Sequence, residues 1–241
     1  MTATTAVAVY CGSSPGKQRA YQHAADSLGK ALAAAKRQLV YGGGSKGIMG
    51  IVSGAVLDAG GDVIGVIPHA MLAVGGEGER VSGDDSTPVL VKSKEERMER
   101  VEWVIVNSMH ERKVEMARRS SGFIGLPGGF GTFEEVLEVT TWTQIGIHSK
   151  PVVLANVLGF FDPLRALIQN GIEGGFIRPA GINLIKFVDG PSDHALHESF
   201  DWGKVLLEEI DSWKGDPSYN LGYDWTRPRD GGVKTEALDA T

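Results

Sequence analysis

The chain has 241 residues, a formal net charge of −6 and a single cysteine, Cys11. This length suits one α/β domain with a tail better than two full domains. The negative charge argues against a general nucleic-acid binder, and the single cysteine excludes an intrachain disulfide and disfavours a cysteine-based metal site. The first residues lack a secretory pattern and no apolar run could span a bilayer, so we expect a cytoplasmic protein with no membrane partner.

Short apolar runs alternate with longer amphipathic segments along the chain. The runs predict strands at residues 6–11, 38–41, 62–67, 103–107, 123–126, 152–155 and 184–188. The longer segments predict helices at residues 18–36, 48–59, 109–119, 132–145, 163–171 and 194–210, with a short helix at 94–100. We therefore predict an α/β fold, with one doubly wound parallel sheet and helices on both faces.

Two segments fall outside this alternation. Residues 70–100 contain an irregular, glycine-rich insertion, and residues 215–241 are polar and resemble a tail. The predicted domain therefore spans residues 1–214. In a parallel sheet of this kind, ligands bind at the carboxyl ends of the strands, where the turns into the helices lie.

Two glycine-rich turns follow the first two predicted strands. The first, CGSSPGK at 11–17, is not a P-loop, because its glycines are one residue too close and Gln18 replaces the required Ser or Thr. This turn could be a plain connection or could line the ligand site, and both interpretations remain open. The second, YGGGSKG at 41–47, fits a dinucleotide pattern, but the following strand ends without the acid that would hold a ribose. Gly43 and Gly44 remain candidates for a phosphate or ribose contact, or for a tight turn without a ligand.

The third turn, LPGGFGTFEE at 126–135, is the most informative stretch. Glycine backbone leads into a helix N-terminus, which favours a phosphate, and the Thr132 hydroxyl adds a donor. Glu135 lies about one turn into that helix, where its carboxylate could point back toward the ligand. Thr132 and Glu135 also have the spacing of a capping box, which requires no substrate. These residues alone therefore support a catalytic role and a capping role equally. Glu138 is interpreted as an ordinary solvated acid.

Arg112 and Lys113 lie early in the helix after the fourth predicted strand, at the same edge of the sheet as Glu135. A phosphorylated substrate would require such a cation, although a surface basic pair is the alternative. His110 is a candidate acid–base group or a structural histidine, and His148 carries less weight. The segment SMHE at 108–111 has the form of a second capping box.

Three segments together resemble the Lonely Guy family, whose members were long mislabelled as lysine decarboxylases. They are SMHERK at 108–113, the signature PGGxGTxxE matched without departure at 127–135, and TWTQ at 141–144. The segment KGIMG at 46–50 also looks like the family. The resemblance implies a Rossmann-like hydrolase that releases the free base and ribose 5-phosphate from cytokinin riboside 5′-monophosphates, and in many members from AMP.

The resemblance also implies roles for individual residues. Arg112 and Glu135 match the essential catalytic positions. The positions expected to bind substrate are Gly43, Gly44, Met109, Lys113, Gly129, Phe130, Gly131, Thr132, Glu134 and Thr141. No cofactor or metal is implied, and the family assembles as dimers or larger oligomers with sites near the subunit interface, so we expect a homodimer. An acid in the insertion, Glu77 or Glu79, is expected to contact substrate.

The mechanism predicted from these residues places the Glu135 carboxylate beside the ribose C1′, where cleavage builds oxocarbenium-like positive charge. Gly129, Gly131 and Thr132 hold the phosphate and so position the ribose. No residue is a clear proton donor to the departing base. Three alternatives remain open: a general purine-nucleotide nucleosidase, a non-catalytic nucleotide or cofactor carrier, and a lysine decarboxylase with pyridoxal phosphate on Lys46 or Lys113.

Overall fold

A computed structural model describes residues 5–73, 100–215, 221, 223–226 and 236–241. Within them, one parallel sheet has the strand order β4-β3-β2-β1-β5-β6-β7. The strands are β1 Val7–Tyr10, β2 Leu39–Tyr41, β3 Val63–Pro68, β4 Val101–Val106, β5 Gly122–Gly125, β6 Val152–Ala155 and β7 Lys186–Val188. Glu77, Glu79 and nearly all of the helix predicted at 94–100 lie outside the described residues.

Helices cover both faces of the sheet. They are α1 Arg19–Ala34, α2 Gly47–Asp58, α3 His69–Ala73, α4 Met109–Arg119, α5 Phe130–Ile145, α6 Asp162–Glu173 and α7 Trp202–Ser212. Helices α1, α2 and α7 share one apolar core with the sheet, and α4 and α5 share a second core on the other face. Strands β1, β5 and β6 are buried throughout, as a sheet covered on both sides requires. The predicted doubly wound α/β fold is therefore confirmed.

The sheet order reverses at β1, and this decides where a ligand fits. The chain builds outward from β1 through β2 and β3 to β4, and then β5 pairs with the other side of β1. Beside β1, Tyr10 is opposite Gly125, so the two strands end level with each other. A crevice opens where the order of such a sheet reverses, outside the carboxyl ends of the strands. The first and third glycine turns follow β1 and β5 and therefore flank this crevice.

The helix predicted at 194–210 is wrong in one respect, because the structure divides it. A 3₁₀ turn, His194–Glu198, comes first, and α7 begins only at Trp202. The Asp201 carboxylate accepts a hydrogen bond from the Lys204 N–H at 3.2 Å and so caps α7. The buried Trp202 donates its indole N–H to the His197 carbonyl at 3.1 Å, which holds the break in place. A local cap and a buried indole thus override a continuous apolar pattern.

The end of the polar tail packs on α4. Leu238 is buried in the second core, and Asp239 pairs with Arg118 at 2.6 Å. The imidazole of His110 is hydrogen-bonded through Nε2 to the Thr241 carbonyl at 2.7 Å, which gives this histidine a structural contact. No helix among the described residues is both long enough and apolar enough to cross a membrane.

Candidate active site

The three glycine turns meet at the carboxyl edge of the sheet. The Gly12 N–H donates to the Pro127 carbonyl at 3.2 Å, which joins the first turn to the third. The Gly12 carbonyl accepts from the Met49 N–H at 3.2 Å, which joins the first turn to the helix after the second. The first turn is thus more than a plain connection, because the N–H and the carbonyl of Gly12 join it to both of the other turns.

Arg112 and Glu135 form a buried ion pair across this edge. Arg112 extends from α4 and Glu135 from α5, with 3.3 Å between the guanidinium Nη1 and the carboxylate Oε1. Only 11% of the Arg112 side chain and 10% of the Glu135 side chain are exposed. The Arg112 Nε donates to the Val66 carbonyl at 3.1 Å, which fixes the plane of the guanidinium. Arg112 is therefore not a surface cation.

The surroundings of Glu135 raise its proton affinity. Burial raises the pKa of its carboxyl from 4.5 to about 7, Arg112 opposes the rise, and Glu134 adds to it. Smaller contributions come from Lys113, which lowers this pKa, and Glu138, which raises it. A carboxyl that titrates near neutrality exchanges protons readily at physiological pH, which suits a general acid or base.

Lys113 lies beside this pair but is held by two other acids. Its Nζ donates to Glu134 at 2.5 Å and to Glu138 at 3.0 Å. Burial disfavours the charged ammonium, but these hydrogen bonds outweigh it and raise the pKa of Lys113. The interpretation of Glu138 as a solvated acid is wrong, because its side chain is only 23% exposed and is paired with Lys113.

Helix α5 begins two residues earlier than the sequence predicts, and this removes the capping alternative for Thr132 and Glu135. Its N-cap is Gly129, so both residues lie inside the helix. Among the described residues, no side chain caps this N-terminus, which leaves its first-turn N–H groups directed at the crevice. By contrast, Ser108 does cap α4, because its hydroxyl accepts from the Glu111 N–H at 3.0 Å.

The glycines of the third turn serve two purposes. A Cβ on Gly128 would lie 2.1 Å from the Thr132 hydroxyl oxygen, so packing requires glycine there. A Cβ on Gly129 or Gly131 would meet no described atom within 4 Å. Since the protein's own packing does not require glycine at these two positions, the open space beside the helix N-terminus matches what a bound phosphate needs.

In the second turn, Gly42, which precedes the predicted pair, lies against one of the catalytic candidates. A Cβ on Gly42 would lie 1.9 Å from Nη2 of Arg112, so only glycine lets the guanidinium lie against this backbone. Sequence analysis missed Gly42, although its place in the turn was a signal. Gly43 has φ +79° and packs against Ile67, so the fold itself requires glycine at this position. Gly44 is buried beside it.

Several predicted positions lie away from this pair. Thr141 is about 15 Å beyond Gly131 along α5, at about 1.5 Å per residue, and its hydroxyl donates to the Leu137 carbonyl. His148 follows the far end of α5, where burial lowers its pKa to about 3. Met109 and Phe130 are the first residues of α4 and α5, and both side chains are exposed.

Comparison with known proteins assigns the family. A family model described as possible lysine decarboxylase matches residues 49–197. The cytokinin riboside 5′-monophosphate phosphoribohydrolase LOG of Oryza sativa subsp. japonica is 48% identical over 219 residues, which are 91% of this chain and 77% of that protein. The chain belongs to the Lonely Guy family. The cytokinin riboside 5′-monophosphate phosphoribohydrolase LOG5 of Arabidopsis thaliana is 41% identical over 86% of this chain and 78% of that protein.

Solved structures share the fold at low identity. The molybdenum cofactor carrier protein of Chlamydomonas reinhardtii aligns with a TM-score of 0.52 and 20% identity, over 85% of this chain and 99% of that one. The molybdenum cofactor binding protein of Rippkaea orientalis aligns with a TM-score of 0.51 and 18% identity, over 78% of this chain and 91% of that one. At such identities the likeness concerns the fold alone.

Proposed function

We propose that this Lonely Guy protein hydrolyses the N-glycosidic bond of cytokinin riboside 5′-monophosphates, and also of AMP, to release the free base and ribose 5-phosphate. The observation that carries the proposal is the buried Arg112–Glu135 pair beside an uncapped, glycine-lined helix N-terminus. The names of the Oryza and Arabidopsis relatives supply the substrate class. The helix N-terminus suits the phosphate, and the carboxylate suits the cation that develops on the ribose.

In this mechanism the phosphate binds at the N–H groups of α5, next to Gly129 and Gly131, with the Thr132 hydroxyl as a further donor. This contact uses binding energy away from C1′ to position the ribose. As the bond from C1′ to the base breaks, its electron pair leaves with the base, and Glu135 stabilises the positive ring. Water then adds to C1′ and gives its proton to Glu135, while Arg112 orients the carboxylate. The departing base takes up a proton from solvent and Glu135 releases one to solvent, which gives the neutral free base and restores the carboxylate.

Product analysis tests this proposal. The protein is incubated with isopentenyladenosine 5′-monophosphate and, separately, with AMP, and the products are resolved by chromatography. Release of free base and ribose 5-phosphate by the wild-type protein, and its loss in Glu135→Gln, is the expected result. Faster release from the isopentenyl nucleotide supports the cytokinin substrate, and equal or faster release from AMP supports a general nucleosidase. Binding of both nucleotides without release of free base would refute the proposal that the protein is an enzyme.

A non-catalytic carrier is the second candidate, since two proteins of similar fold are a molybdenum cofactor binding protein and a molybdenum cofactor carrier protein. The Arg112–Glu135 pair argues against it. A carrier of an anionic ligand gains nothing from a buried carboxylate beside the anion site, because like charges repel there. We therefore favour the enzyme.

A lysine decarboxylase, the activity in the family model's description, finds little support in the lysines of this edge. A lysine that forms a Schiff base needs a lowered pKa, so that its amine is neutral. The pKa of Lys113 is raised instead by Glu134 and Glu138, and Lys46 is exposed. An aldimine absorption band in protein incubated with pyridoxal phosphate, with decarboxylation of lysine, would restore this alternative.

We also propose a cytoplasmic homodimer in which α5 contributes to the interface. Phe130, Phe133, Leu137 and Thr141 recur at helical spacing on α5, and all four are exposed, Phe130 to 92%. This face would also bring Thr141, remote from its own glycine turn, toward a partner's site. Sedimentation analysis should give a dimer for the wild-type protein and a monomer for Leu137→Asp. A wild-type monomer at micromolar concentration would refute the proposal.

A further inference from the structure

A buried tyrosine lies behind the catalytic pair. Tyr10 is the last residue of β1, is 1% exposed and stacks on Phe123 with 6.0 Å between ring centroids. Its hydroxyl has no hydrogen-bond partner within the described part of the chain. A buried hydroxyl without a partner is costly, and phenylalanine would fill the same space without that cost. The hydroxyl therefore calls for an explanation.

Two buried carboxylate oxygens on α5 also lack a hydrogen bond within the described part of the chain. Among the described residues, Oε1 of Glu135 makes no hydrogen bond in addition to its ion pair, and Oε2 of Glu138 has no hydrogen-bond partner. The second carboxylate oxygen of Glu138 accepts from Lys113. Glu135 and Glu138 are three residues apart on α5 and so lie on one side of the helix. Tyr10 shares the second core with Val136 and Val139, the residues that directly follow these two acids on α5. Burial raises the pKa of Tyr10, and the charges of Glu135 and Glu138 raise it further.

The titratable groups around this cluster come from two helices and from the end of β1 with the residue that follows it. Helix α5 supplies Glu134, Glu135 and Glu138, helix α4 supplies Arg112 and Lys113, and the end of β1 supplies Tyr10 and Cys11. Of these, Arg112 and Lys113 are engaged with carboxylates, and burial raises the pKa of Cys11, which keeps its thiol neutral. A thiol is only a weak donor, so among the described residues of this cluster the Tyr10 hydroxyl is the strong neutral donor that remains available to the two carboxylates.

We propose that Tyr10 is a positioning residue that acts on Glu135 through an internal water shared with Glu138. The water accepts a hydrogen bond from the phenol and donates one to each carboxylate, so that three buried polar atoms are satisfied by one molecule. The arrangement favours the charged form of Glu135. This consequence for catalysis rests on the proposed function, in which Glu135 acts as a carboxylate.

Loss of the phenol hydroxyl has a defined sign. The water that donates to the Glu135 carboxylate lowers its pKa, and without the phenol this water is held less firmly. Tyr10→Phe should therefore raise the pKa of Glu135 further above its value of about 7. The acidic limb of the profile of hydrolysis rate against pH then moves to higher pH. The KM stays unchanged, and so does the rate at a pH well above the pKa of Glu135 in both the wild-type protein and the variant. A purely structural role of Tyr10 would lower stability without moving this limb.

Nuclear magnetic resonance of protein labelled with ¹³C at the glutamate side-chain carboxyls measures the effect directly. The resonance missing in Glu135→Gln identifies Glu135, and its midpoint is followed in wild-type protein, Tyr10→Phe and Tyr41→Phe. Tyr41 is the matched control, because it is buried at the end of β2 in the other core. We expect the midpoint to rise by about half a unit or more in Tyr10→Phe, as loss of a hydrogen bond to a charged group implies, and to stay in place in Tyr41→Phe.

The readouts keep the two proposals separate. An unmoved midpoint in Tyr10→Phe, or an equal rise in Tyr41→Phe, overturns the role of Tyr10 even if hydrolysis is normal. A raised midpoint confined to Tyr10→Phe supports that role even if no substrate is hydrolysed, in which case the proposed function is the one that fails. With hydrolysis present, the acidic limb must move by the same amount as the midpoint.

Discussion

Replacing Glu135 with glutamine removes a titrating charge from the centre of the site while keeping the size of the side chain. Burial raises the pKa of Glu135 from 4.5 to about 7 in the folded protein. A carboxyl with a raised pKa binds its proton more tightly in the folded state than in the unfolded state. Its contribution to stability is therefore fully present below about pH 4.5 and is lost as the pH rises through about 7.

The size of this contribution follows from the difference between the two pKa values. At about 1.4 kcal/mol per pH unit, the rise from 4.5 to about 7 corresponds to about 3 kcal/mol. Domains unfold with only about 5–15 kcal/mol, so this is a measurable share of the whole. The glutamine variant lacks this pH dependence. It leaves Arg112 without a charged partner, but that loss changes little with pH because an arginine stays protonated.

Urea unfolding of the two proteins between about pH 4.5 and 8.5 checks the reasoning. The stability of Glu135→Gln relative to wild type should increase by about 3 kcal/mol across this range. Glu173→Gln, which removes one exposed negative charge, serves as the control. Turnover of the variant should fall by about 10²-fold or more if Glu135 is the acid–base group. A difference in stability that stays constant with pH would refute the raised pKa and, with it, the argument for proton transfer by Glu135.

Three further predictions concern glycines that the structure distinguishes. Gly42→Ala places a Cβ 1.9 Å from Nη2 of Arg112, so the guanidinium must move, and kcat/KM should fall by about tenfold with little change in Tm. The Cβ of Gly129→Ala would meet no described atom within 4 Å, so Tm should stay unchanged while KM for the nucleotide rises by about tenfold. An unchanged KM would place the phosphate elsewhere. Gly128→Ala should lower the free energy of unfolding by about 1–3 kcal/mol in urea titrations, because its Cβ would lie 2.1 Å from the Thr132 hydroxyl oxygen.

The sequence predicted the elements best where the pattern is local and strong. The apolar runs at β1, β5 and β6 and the spacing of α4 agree with the structure to within one or two residues. The start of α5 was placed too late, since glycines at 129 and 131 disfavour helix locally, whereas in the fold the helix begins at Phe130. That difference of two residues excludes the capping box, because a capping residue must stand at the helix end.

Apolar periodicity and glycine-to-helix turns are local signals, and they suffice to predict the doubly wound fold, the edge of the sheet with the candidate site and the residue types gathered there. The three-dimensional fold is needed to see that Arg112 is buried against Glu135, that Glu138 is bound to Lys113 and that Gly42 makes room for the guanidinium. Burial and charge pairing join residues far apart in the chain. The pKa of Glu135 therefore belongs to the assembled environment, because desolvation by the whole core raises it more than its neighbour Arg112 lowers it.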